Sequence, residues 1–138
     1  MSVQAVNEFN SKVRTLLVRM VRELPGDAKI ERLQRKAMVA IDMLPTAPIK
    51  LIGPHLLRYQ KDIYSTTDYK RFFTMKDPFH EEIQQATKTA GDAQAVLEVI
   101  PRLQEVARGM TNAAQHEVLE IVQDMLQCYV DFVESEQR

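Results

Sequence analysis

The sequence predicts an all-α fold: a compact bundle of five to seven helices, with an N-terminal antiparallel helical hairpin and a long central C-terminal helix. Three observations carry that prediction. Apolar residues in the long segments recur every three or four positions, the period of a helix face, and period-two alternation is absent. Proline, glycine and capping Asp or Thr residues fall between those segments, where helices stop and start. The 138 residues, 45% hydrophobic and 27% charged, suffice for one domain with its own core.

The first helix is predicted from about Val3 to Glu23, with Val6, Phe9, Val13, Leu16, Leu17, Met20, Val21 and Leu24 along one face. Pro25-Gly26-Asp27 ends it, because proline cannot continue the ladder, glycine permits the turn and Asp27 can cap the next helix. The second helix covers about Ala28 to Leu44, with Ile30, Leu33, Ala37, Ile41 and Leu44 apolar and Lys29, Arg32, Arg35 and Lys36 in its exposed turns. So short a connection makes the two an antiparallel hairpin.

The chain is organised around its next stretch, Pro45–Phe73, which holds three of the six prolines and three of the four tyrosines. Thr46 is the expected cap of a third helix, with Pro48 in its first turn. Gly53-Pro54 is expected to break or kink it, since Pro54 removes a donor and crowds the preceding turn. His55 to Tyr64 reads as a further helical piece, and Thr66 or Thr67 starts a short turn ending near Phe73. Tyr64, Tyr69, Phe72 and Phe73 form an aromatic cluster with two readings: a plug seated in the core, or an exposed patch that binds a partner.

Asp77-Pro78 reads as a helix start, with Glu81 and Glu82 in the first turn, a thin apolar face of Phe79, Ile83, Ala86 and Ala90, and Gly91 at the end. Asp92 caps the next helix, Ala93 to Ala107, with a kink expected at Pro101. Thr111 or Asn112 caps the last, running to about Glu134, whose apolar surface is wider than one neighbour requires.

Charge is divided along the single domain, residues 1–138. Residues 1–76 carry 14 Lys+Arg against 7 Asp+Glu, or +7, and residues 77–138 carry 4 against 12, or −8. Halves of opposite sign either present separate faces or neutralise one another within the fold. One cysteine, no signal-peptide pattern and no apolar run near the roughly 20 residues that span a bilayer point to a soluble, intracellular protein without membrane attachment.

Catalytic constellations are missing. His55, His80 and His116 lack ligand spacing, and the isolated glycines form no phosphate-cradling loop. Glu117, Glu120 and Asp124 share a helix face, but without the Glu-x-x-His motifs of di-iron bundles they read as a solvated surface. Cys128, among apolar residues, reads as a buried structural thiol. No enzyme activity, cofactor, metal or small-molecule substrate is expected.

Two candidate surfaces remain. Lys12, Arg14, Arg19, Arg22, Arg32, Arg35 and Lys36 could form a basic surface on the first hairpin, with Lys50, Arg58, Lys61, Lys70 and Arg71 behind it. The aromatic segment Tyr64, Tyr69, Phe72 and Phe73 is the other. A partner protein or a second copy of the chain fits the charges best. Nucleic acid is the alternative, opposed by a pI near 6.3 and by the acidic second half.

The segments FNSKVRTLLVRMVRELPGD (Phe9–Asp27) and IKLIGPHLLRYQKDIYSTTDYKRFF (Ile49–Phe73) also resemble a group of short helical proteins in large nucleocytoplasmic DNA viruses. In that group a Phe-Asn opens an amphipathic helix closing on a proline-bearing acidic turn. A later segment then matches Pro54, His55, Ile63, Asp68, Phe72 and Phe73. The resemblance implies a viral protein with a virion or infected-cell interaction role, and no catalytic signature.

Overall fold

The computed structural model describes residues 3–65, 67–74 and 93–137, and all its regular structure is helical. Seven helices are present among the described residues: α1 (Val3–Glu23), α2 (Ala28–Met43), α3 (Ala47–Arg58), α4 (Gln60–Ile63), α5 (Arg71–Thr74), α6 (Ala93–Ala107) and α7 (Asn112–Glu136). The helix expected from Asp77 to Gly91, with Phe79, His80, Glu81 and Glu82, lies outside the described residues, as do Thr66 and the Asp92 cap.

α1 ends as its sequence dictates. Gly26 takes a left-handed φ of 83°, the conformation that favours glycine. The Asp27 carboxylate then accepts from the amides of Lys29 (3.0 Å) and Ile30 (3.1 Å), satisfying two of the donors that α2 leaves open. Arg14 meets Asp42, and Asn10 donates to the Pro45 carbonyl; moving back along α1 moves forward along α2, so the hairpin is antiparallel.

The principal partner of α1 is α7. Arg19 faces Glu117, Lys12 faces Asp124 and Glu8 faces Cys128, so steps of seven and four down α1 match equal steps up α7. The two helices are therefore antiparallel and in a single register. α2 lies on the other flank, against α6, and does not touch α7. Phe9, Val13, Leu16, Leu17 and Met20 of α1 are sealed between these layers with Ile41, Ile49, Ile52, Leu56 and Val122. Each such side chain contributes roughly 1.5–3 kcal/mol by leaving water. Leu24 and Leu44, read as face residues, instead stand largely exposed, because the chain has already left the helix at both positions.

The break allowed for at Gly53-Pro54 does not occur. α3 runs unbroken through Gly53 and Pro54. A residue before proline is normally pushed out of the helical region by its own Cβ, and glycine has none. The same bare Cα lets Tyr129 of α7 lie against Gly53, where any Cβ would overlap the ring. Thr46 sits at the α3 N-cap position with helical angles (φ −86°, ψ −9°), and its side chain makes no capping bond. α6 likewise continues through Pro101. Thr111, by contrast, caps α7 as expected, accepting from the Ala114 amide.

The buried polar side chains share one task. Helix C-termini leave carbonyls without partners, and here long amide or guanidinium groups from other parts of the chain supply the donors. Asn10 donates to Pro45 beyond α2, Gln123 to Ile63 at the end of α4, and Gln115 to Ala107 at the end of α6. Gln104 and Arg108 donate to Phe72 and Phe73 in α5, each at 2.7 Å. These bonds fasten the short helices α4 and α5 to the long ones.

Candidate protein-interaction face

Phe72 and Phe73 are wholly buried and meet edge to face, 5.6 Å between ring centres. They are core residues and offer no docking surface, so the partner-patch reading fails at both. Two phenylalanines on a one-turn helix find cover only by facing inward, and the backbone bonds from Gln104 and Arg108 hold them there. Tyr69 stacks on His116 with ring centres 3.9 Å apart. Tyr64 is exposed along its ring, yet its hydroxyl donates to the Gln123 carbonyl at 3.1 Å. Partial burial and the neighbouring Asp124 hold its phenol above the usual range. The segment thus straps onto the core through Phe72 and Phe73, with Tyr69 partly buried and Tyr64 left exposed.

The seven basic residues do not form one surface. Lys12 and Arg19 turn toward α7 and meet Asp124 (3.4 Å) and Glu117 (2.6 Å), while Arg14 meets Asp42 (3.1 Å). Basic and acidic halves thus interlock across the α1/α7 seam. Arg22 remains with Arg14, Arg19 and Val18 on a shallow outer groove of α1. Arg32, Arg35 and Lys36 are exposed on α2 and ion-paired with no carboxylate among the described residues.

A groove of about 460 Å³ runs along the α1/α7 seam, lined by Glu8, Lys12, Asp124, Cys128 and Asp131 among others. Its chemistry is quiet. The Cys128 thiol points at the Glu8 carboxylate, 3.8 Å away. Burial, then the charge of Glu8, pushes it up to about 11, so it stays protonated at neutral pH and is a poor nucleophile. No group of three His, Cys, Asp or Glu side chains among the described residues is placed to hold a metal ion.

The α2 flank differs. Lys29, Arg32 and Lys36 of α2 face Glu98 and Arg102 of α6 across a cleft of about 290 Å³ floored by Leu33. Four cations meet one carboxylate there. Farther along the same stripe, at steps of three and four, the residues turn apolar: Val39 is 49% and Met43 68% exposed, with Leu44 at 56% just beyond. The charged entry is well hydrated, whereas the apolar end of Val39, Met43 and Leu44 is not. Sequence reasoning singled out Arg32, Arg35 and Lys36 but passed over Val39, Met43 and Arg102. The signal was present in the 32, 36, 39, 43 spacing, which shares the outward side with the cations.

No helix among the described residues is long and apolar enough to cross a membrane. No protein-family model matches the chain, and no curated protein or solved structure matches it either.

Proposed function

We propose that this chain is a non-catalytic protein-interaction module whose α2 face docks an acidic segment of another protein that also carries apolar side chains. One observation carries the reading: the α2 stripe passes from Arg32 and Lys36, ion-paired with no carboxylate among the described residues, to exposed Val39 and Met43. A partner that answers both parts must bring carboxylates to one end and apolar groups to the other. Nucleic acid, the alternative, would want cations to continue along its path. Three of the seven basic candidates are already held by the chain's own carboxylates, and the stripe turns apolar after Lys36. The resemblance of residues 9–73 to helical proteins of large DNA viruses supports a partner in a virion or an infected cell.

The test is a photo-crosslinking residue at Met43 of the full chain, in the cells that make it. The expected result is an adduct whose crosslinked peptide is acidic and apolar, lost in Arg32→Glu/Lys36→Glu. Crosslinks that map to nucleic acid, or to a second copy of this chain, overturn the reading. So does an adduct indifferent to the charge reversal. Fluorescence anisotropy with short DNA and RNA at about 50 and 200 mM salt checks the alternative, because six or more phosphate contacts lose about a thousandfold in affinity over that range.

A further inference from the structure

The α2/α6 cleft has a property that an ordinary carboxylate partner does not use. Lys29, Arg32 and Lys36 lie three and four residues apart on one helix face, and Arg102 closes on them from α6. Glu98 is the sole lining carboxylate, and it already accepts from Gln94 at 3.2 Å. Arg102 gives one Nη1 to Glu105 at 3.1 Å, which leaves most of its five donors for something else. None of the three α2 cations is ion-paired among the described residues. Lys12, Arg14 and Arg19 are each matched by one carboxylate, whereas these α2 cations gather in one concavity. With Glu98 and the Glu105 partner of Arg102 set against four cations, a concave site with a surplus of two positive charges attracts an anion that carries more than one negative charge at a single point. A phosphomonoester does so, with about −1.5 to −2 charge and three acceptor oxygens suited to the planar fork of arginine.

We propose that the cleft of Lys29, Arg32, Lys36 and Arg102 binds a phosphomonoester, borne by a phosphorylated side chain of the docked protein segment. Its placement on a protein segment rests on the docking reading above; the anion site itself stands on the cation geometry. Arg32 and Arg102 grip the phosphate oxygens from two helices, Lys29 and Lys36 flank it, and Leu33 supplies the floor. The apolar Val39–Met43 end then receives side chains a few residues along the same segment. Glu98 opposes the phosphate and weakens the site, so removing its charge strengthens binding.

The test is a titration of the full chain, followed through backbone amide shifts, with phenyl phosphate, benzoate and dimethyl phosphate as probes. Phenyl phosphate should give saturable shifts confined to residues 29–36 and 98–102, with affinity about tenfold above benzoate or the diester. Arg102→Ala should weaken it about tenfold, and Glu98→Gln should strengthen it several-fold. Equal affinity for benzoate, shifts spread over all surface cations, or an unaffected Arg102→Ala would overturn the site. The Met43 crosslink separates the two claims. An acidic adduct without phenyl phosphate binding keeps the docking face and removes the phosphate. Confined phenyl phosphate binding with no protein adduct keeps the anion site and removes its protein carrier.

Discussion

Along α1 and α7, cation and carboxylate face each other at matched steps, Lys12 to Asp124 and Arg19 to Glu117. Along α2 and α6, four cations gather around one carboxylate, and the three on α2 stay unmatched among the described residues. Both pairs bury an apolar seam, and both cations and acids come from the same short chain, so composition does not explain the contrast. Position does. On α1/α7 a carboxylate stands opposite each seam cation, whereas on α2/α6 the residue one turn along from Glu98 is Arg102, a further cation at the cleft. A surface that a protein could neutralise and has not is a better pointer to a partner than net charge is, and this chain's net charge of −1 conceals it.

The contrast can be broken most forcefully through the cores. Leu16→Ala, on the sealed side of α1, should cost about 2–5 kcal/mol in a urea melt, while Met43→Ser on the open stripe should move stability by less than about 0.5 kcal/mol. Comparable losses at the two positions would mean that the α2 stripe is covered. Next in size is Gly53→Ala, whose new Cβ must displace the Tyr129 ring; a loss of about 1–3 kcal/mol is expected by thermal or chemical melting.

Charge effects are smaller and differ in sign between the regions. A double-mutant cycle on Arg19→Ala and Glu117→Gln should return a coupling below about 1 kcal/mol, since Glu117 is 59% exposed and screened by water. On α2, Arg32→Glu replaces a like-charged i, i+4 pair with Lys36 by an attractive one, and should raise stability by a few tenths of a kcal/mol. It should do so while abolishing the Met43 crosslink, a combination that a merely structural role for Arg32 would not give.

The weakest effect belongs to the α1/α7 seam at high pH. The Cys128 thiol titrates near 11 in the fold and lower once unfolded, so above about pH 9 the unfolded chain holds fewer protons. Stability is therefore flat in this thiol at neutral pH and falls as pH rises through 9 to 11. Comparing melts of the wild type and Cys128→Ala over that range isolates the slope. Alkylation at neutral pH should be slow in the folded protein.

The sequence made the long helices plain, and α1 ends at Glu23 because Pro25, Gly26 and Asp27 each act locally. Gly53-Pro54 misled for a physical reason. Glycine before proline serves equally to break a helix or to let a neighbour approach it, and the deciding neighbour, Tyr129, lies far away in the chain. The fate of Lys12 and Arg19 was hidden likewise: periodicity tells which side of a helix a lysine occupies, but not what packs there. The matching seven-residue steps, Lys12 to Arg19 and Glu117 to Asp124, were the available clue. Phe72 and Phe73 could be read as plug or patch until the carbonyl bonds from α6 fixed them inside.

The α1/α7 register also sets a schedule for synthesis. Arg19 and Glu117 are 98 residues apart, so a ribosome adding roughly 5–20 residues each second finishes the second helix on the order of ten seconds after the first. Until then Phe9, Val13, Leu16 and Met20 have α2, α3 and finally α6 for cover, but lack the layer that α7 supplies. A chain truncated before α7 would leave the α7 side of α1 uncovered, a sticky fragment rather than a smaller working protein.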